Sequence, residues 1–104
     1  MPSTIVRVHS AASAEMEEAI RWYSASSPYA AAGFKREITE AMQAVLLHPE
    51  RGRQIEGEMR RVVLRRFPFS IIYRMRAEEI LIVALAHASR LPGYWAIRTA
   101  GPPS

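Results

Sequence analysis

Cysteine is absent from the chain. That excludes a disulfide framework, a thiolate metal site and a cysteine nucleophile, and it fits a reducing cytoplasm. Lysine is nearly absent as well: of the 14 basic residues, all but Lys35 are arginine. No stretch approaches the ~20 apolar residues of a membrane span, so no membrane partner is expected. Met1-Pro2-Ser3-Thr4 lacks the basic segment and apolar run of a secretory signal. There is no internal repeat and no low-complexity tract. The three histidines are separated and lack a clustered carboxylate, so neither a metal site nor a cofactor is implied. What remains is a 104-residue chain, enough for a single domain that buries roughly two-thirds of its unfolded surface around one core.

The net charge of +4 is unevenly spread. Residues 1–50 hold four basic and six acidic side chains, a balance of −2, whereas residues 51–104 hold ten and four, a balance of +6. The guanidinium fork suits bidentate contact with phosphate or carboxylate better than an ammonium does. The second half therefore favours an anionic partner, nucleic acid or an acidic protein. The same arginines can also solvate sheet edges and oppose aggregation.

Taken in order, Thr4-Ile5-Val6-Arg7-Val8 alternates and is β-branched, which predicts a short first strand. Ser10 or Ser13 is expected to cap a following helix, with Glu15, Glu17 and Glu18 in its first turns at the positive end of the dipole. Met16, Ala19, Ile20 and Tyr23 form its apolar stripe, with Trp22 beside it. Ser27-Pro28 is a cap and first turn for a second helix. There Phe34, Ile38, Ala41, Met42 and Val45 face inward while Lys35, Arg36, Glu37 and Glu40 face out. His48-Pro49 ends it, with His48 as a C-terminal turn residue. Pro49 to Glu58 reads as a loop.

Three strands follow: Met59 to Arg65, Phe69 to Arg76 and Ile80 to His87, with Phe67-Pro68 and Glu78-Glu79 at the turns. The middle strand alternates, so Arg74 and Arg76 are expected on a wet face. Ile80 to Ala86 has no polar residue on either face, which predicts a strand central in the sheet and covered on both sides. Ile71 and Ile82 are expected in the core. The resulting fold class is α+β, in the order β-α-α-β-β-β, an antiparallel-rich sheet with a helical hairpin on one face. The first strand is expected beside Ile80–His87, then Phe69–Arg76, with Met59–Arg65 at the far edge. The other face is expected to be partly open and arginine-bearing. Residues 99–104 look frayed.

Several phrases resemble the RelE/ParE superfamily of toxins from bacterial type II toxin–antitoxin modules. They are Ala19-Ile20-Arg21-Trp22-Tyr23, Pro28 with Phe34, His48-Pro49, Arg65-Arg66-Phe67-Pro68-Phe69-Ser70-Ile71-Ile72-Tyr73, and His87-Ala88-Ser89-Arg90-Leu91-Pro92-Gly93-Tyr94-Trp95. They cover residues ~4 to 98 in the superfamily's order. The resemblance implies a growth-inhibiting toxin silenced by a cognate antitoxin, whose toxin-binding segment should be acidic and amphipathic to mask the basic half. It also implies one of two targets, DNA gyrase for the ParE kind or ribosome-bound messenger RNA for the RelE kind.

A RelE-like endonuclease needs a proton acceptor for the RNA 2′-hydroxyl, a proton donor for the leaving oxygen, and cations for the phosphorane charge. On the resemblance, Arg65 and Arg90 would be the cations, with Tyr94 and His87 moving protons. The lysines that many such enzymes place before the strand meander are missing. Arg51, Arg53, Arg60 and Arg61 stand in that region, and an arginine with a pKa above ~12 is a poor proton acceptor. The His-x-x-Arg-x-Pro-Gly-Tyr-Trp phrase is similar to ParE-like, plasmid-stabilisation proteins, which favours gyrase inhibition. The endonuclease and a non-toxic binding module that keeps the fold are the alternatives. Under any target, Arg60, Arg61, Arg65, Arg74 and Arg90 are the expected binding cations.

Overall fold

The structure, a computed structural model, describes residues 4–99. The tail beyond residue 99 lies outside the described residues. Strand β1 (Ile5–Val8) leads into two helices, α1 (Ser10–Ser26) and α2 (Pro28–Leu47). Four strands follow: β2 (Arg53–Gln54), β3 (Met59–Val63), β4 (Phe69–Arg76) and β5 (Glu79–His87). They form one five-stranded sheet in the order β1-β5-β4-β3-β2. β1 runs parallel to β5, and the other pairs are antiparallel. The expected α+β class and the pairing of the first strand with β5 are present; β5 is interior, but the middle strand of the five is β4.

Several local expectations fall. The cap of α1 is His9, not a serine: its Nδ1 accepts the Ala11 N–H at 3.0 Å. The helix therefore starts at Ser10, and no acidic residue lies in its first turn. An imidazole nitrogen with a lone pair can take an orphan helical N–H as a serine oxygen does. The Pro49–Glu58 interval is more than a loop. Pro49–Arg51 is a 3-10 turn, and Arg53–Gln54 pairs with Arg61 and Arg60, so β2 rather than β3 is the far edge. β3 stops at Val63, two residues before the expected Arg65. At the other helix junction the expectations hold: Ser27 Oγ accepts the Tyr29 and Ala30 N–H groups with Pro28 in the first turn, and His48 ends α2.

The helical hairpin packs on one face of the sheet, where Phe34 of α2 shares a core with Ile71, Tyr73 and Ile82. Tyr23, Phe34, Phe67 and Phe69 meet there edge to face or tilted, with centroids 4.9 to 6.4 Å apart. The opposite face is less open than expected. Met59, Ile72, Val83, Ala84 and Trp95 form a second, smaller core there. A bulge makes both cores possible. Ile72 pairs with Ala84 but Tyr73 pairs with Ile82, so Val83 is an extra residue. The insertion places Val83 and Ala84 together on the far face and Ile82 and Leu85 together under the helices. It explains why this strand's sequence shows no alternation.

Two close approaches fix the β2 end. The Tyr73 hydroxyl donates to the Pro49 carbonyl at 2.5 Å and accepts the Gly52 N–H at 3.1 Å. A Cβ on Gly52 would lie 2.0 Å from that oxygen, so only glycine fits.

Candidate functional site

Along β5, past the point where its pairing with β1 ends, side chains cluster on one carboxylate. Leu85 N–H donates to Glu15 Oε1 at 3.0 Å, Tyr94 O–H donates to Oε2 at 2.9 Å, and Arg98 donates through both terminal nitrogens at 2.9 Å each. Arg98 also donates to the Val83 carbonyl at 3.0 Å. Burial raises the Glu15 pKa, but the bonds from Arg98, Tyr94 and Leu85 outweigh it and hold the carboxyl below its ordinary value. Burial, together with the bond to Glu15, pushes the Tyr94 phenol up to about 12. The Arg90 guanidinium lies over the Tyr94 ring, 3.9 Å from its centroid.

Sequence reasoning missed Glu15 and Arg98. Glu15 carried a signal: it lies three residues after buried Ala12 and four before buried Ala19, so it is a polar residue inside the apolar stripe. Glu37 repeats the pattern. Expected on the outside of α2, it is only 7 % exposed, and its Oε1 accepts the Arg65 and Arg66 N–H groups at 2.6 and 3.1 Å. A buried carboxylate thus caps the β3–β4 turn.

His87 ends β5. Its Nδ1 accepts the Ser89 N–H at 2.9 Å and lies 2.8 Å from the Ser89 hydroxyl. The proton of the neutral ring therefore sits on Nε2. The ring meets Phe69 edge-on at 4.9 Å.

The 87–95 segment separates two grooves, and His87, Arg90 and Tyr94 line both. The helix-side groove, about 460 Å3, is walled by Ala19, Trp22, Tyr23 and Phe69. The far-face groove, about 270 Å3, is floored by Ser70, Ala86 and Ala88 and bounded by Arg61 and Trp95. Small floor residues leave room there, and Arg61 Nε is buried without a hydrogen-bond partner among the described residues.

The five expected binding arginines have different surroundings. Arg61 and Arg90 share the far-face groove. Arg60 instead donates to the Glu50 and Gly52 carbonyls, at 3.0 and 2.8 Å, bracing the turn before β2. Arg74, expected on a wet face, has a side chain only 11 % exposed, with Glu79 at 3.6 Å. The Arg65 side chain is 79 % exposed, lies 3.6 Å from Glu40, and lines neither groove.

A mixed sheet with a helical hairpin on one face is the α+β arrangement of the RelE/ParE superfamily, and the match to a family model makes the chain a type II toxin of that superfamily. The sequence model of the ParE toxin of type II toxin–antitoxin systems, parDE, matches residues 6–92, and the chain belongs to that family. Among solved structures it is similar to the chromosomal ParDE TA system from P. aeruginosa. The TM-score is 0.72 at 22% identity, over 86% of this chain and 100% of that one, which is a likeness of fold. A search of curated protein sequences returns no match.

Proposed function

We propose that this toxin inhibits bacterial growth by acting on DNA gyrase in the cytoplasm, and that a cognate antitoxin with an acidic, amphipathic binding segment silences it. Membership of the ParE family supports the reading. The observation that carries it against the endonuclease is the state of the expected proton-transfer groups. The Tyr94 hydroxyl keeps its proton and donates it to the Glu15 carboxylate, with the phenol pushed up to about 12. His87 Nδ1 accepts from Ser89, and Arg65 lies apart beside Glu40. A general acid or base works best with a pKa near the operating pH and within reach of its proton. The cationic surface, Arg90 with Arg61, is then a recognition surface and not a cleavage site.

Induction of the chain alone should arrest growth, leave messages uncut by primer extension, and give filamentation with DNA breaks. Messages cut within codons minutes after induction would overturn the gyrase assignment. The endonuclease is kept as second reading by one observation: Arg61, Arg90, Tyr94 and Trp95 line a single groove. Cations interleaved with aromatics are what single-stranded nucleic acid uses.

A further inference from the structure

The far-face groove brings opposite charges together without letting them meet. Arg61 enters it from β3, Arg90 from the segment after β5, and Glu56 from the turn between β2 and β3. Glu56 Oε2 sits at the Gly93 rim, 3.5 Å from where a Cβ on that glycine would stand. Among the described residues Glu56 pairs with neither arginine, and neither arginine has another carboxylate partner. Arg61 Nε is also buried without an acceptor, whereas buried polar groups are nearly always hydrogen-bonded. Two neutral donors stand beside the guanidiniums. The Ser70 hydroxyl on the floor makes no hydrogen bond among the described residues. His87, whose Nδ1 accepts the Ser89 N–H, carries its proton on Nε2.

Two guanidinium forks, a hydroxyl and an imidazole N–H around one hollow are a donor set for an oxyanion. A carboxylate brings two oxygens and a single charge. A phosphate monoester brings three terminal oxygens and about −1.5 to −2 of charge near neutral pH, the better match to two arginines. The size of the groove limits the rest of the ligand. At about 270 Å3 it lies just below the roughly 300–1,000 Å3 of small-molecule sites, which leaves space for a phosphate and a few carbon atoms. A base finds no free ring to stack on, because Trp95 is 5 % exposed and Arg90 lies over the Tyr94 ring. At the Gly93 rim the Glu56 carboxylate is an acceptor for a hydroxyl. We infer that the far-face groove binds a small phosphorylated polyol of the sugar-phosphate class, its phosphate between Arg61 and Arg90 and a hydroxyl on Glu56. The ligand bridges the charges that the fold keeps apart. This site does not depend on the choice between gyrase and messenger RNA as target.

The test is an NMR titration of the full, nitrogen-15-labelled chain with ribose 5-phosphate, ribose, inorganic phosphate, an oligothymidylate and an oligoglutamate. Ribose 5-phosphate should move the Arg61 and Arg90 Nε–H signals and the Ser70 amide saturably, and bind about tenfold more tightly than inorganic phosphate. Ribose should move none of them. R90A alters an exposed side chain and should weaken ribose 5-phosphate at least about tenfold. R61K, which keeps the charge and removes the fork, should do the same. E56A should bring ribose 5-phosphate down to the affinity of inorganic phosphate without weakening the latter. Retained dispersion elsewhere in each spectrum shows that the variant is folded. Undiminished binding by folded R90A, inorganic phosphate bound as tightly as the sugar phosphate, or no shift at these signals would overturn the site. Tighter binding of the oligothymidylate or the oligoglutamate would overturn it too, and would give the groove to nucleic acid or to an acidic protein. Growth arrest and its target are read in separate experiments, so failure here leaves the gyrase reading untouched.

Discussion

The two ends of the sheet are finished by different means. At the β2 end the strand is two residues long, Arg53 faces Arg61 across the ladder, and Arg60 and Tyr73 tie the preceding turn to the sheet. Shortness and clustered like charge discourage further pairing. At the β5 end the last strand outruns its neighbour, and Glu15 and Arg98 close part of the exposed backbone through side chains. β1 itself is exposed along its length, with Ile5, Val6 and Val8 all open. One end is closed by local composition. The other is closed by residues brought from afar, incompletely, and it is there that the grooves lie.

The largest expected effect comes from breaking the long-range closure. Glu15→Ala would leave a guanidinium, a phenol and a backbone N–H without their acceptor in a part-buried site, and should cost about 3 kcal/mol. Urea denaturation measures it, and a loss under about 0.5 kcal/mol would mean that water replaces the carboxylate freely. The same carboxyl gives a pH signature. Its folded pKa lies below the unfolded value, so its contribution is present above the ordinary carboxylate range and fades as pH falls through the lowered value. Glu15→Gln should therefore flatten part of the acid limb of a stability profile.

At the β2 end the sharpest break is Gly52→Ala, which drives a methyl against the Tyr73 oxygen and should cost roughly 1–3 kcal/mol. Thermal unfolding of this variant beside Tyr73→Phe separates the clash from the lost hydrogen bonds. Smaller still is the titration of Tyr94. In a spectrophotometric titration one tyrosine should ionise near 12, and Tyr94→Phe should remove that step. A phenol whose folded pKa is raised stabilises fully below the unfolded value of ~10 and loses that contribution as pH climbs toward the folded one. Last comes Arg65→Ala, expected to change stability by about 0.5 kcal/mol or less, since the ion pair with Glu40 is exposed. If that variant also keeps full growth inhibition, Arg65 leaves the binding set and the cationic surface narrows to Arg61 and Arg90.

The contrast between the ends also explains what could be read beforehand. Strand existence, the buried Ile71 and Ile82, the interior position of β5 and the Ser27-Pro28 cap were legible because each follows from composition and period within a few residues. Glu15, Glu37 and Arg98 were not. A carboxylate at an inward helical position looks like a solvated face until the backbone N–H groups it serves are known, and those lie 28 and 70 residues away. The bulge at Val83 was hidden for a related reason, because an extra residue in a wholly apolar strand disturbs no pattern. Arg74 misled in the other direction: alternation gave its face correctly, but a second small core around Trp95 covers that face.

The placement of β1 has a consequence for how the molecule is made. Ile5 has Glu79 as its ladder partner, and Glu15 waits for Arg98, 83 residues on. Contacts of such sequence separation form late and slowly, because the chain must close a long loop before they repay it. The helical hairpin and the β3–β4 turn can form from local contacts while β1 still lacks its neighbour and leaves Ile5, Val6 and Val8 exposed. A nascent chain stopped short of Arg98 has helices and a meander but no clasp at Glu15. The segment after β5 that carries Arg90 and Tyr94 thus takes its final shape only once Arg98 has reached Glu15.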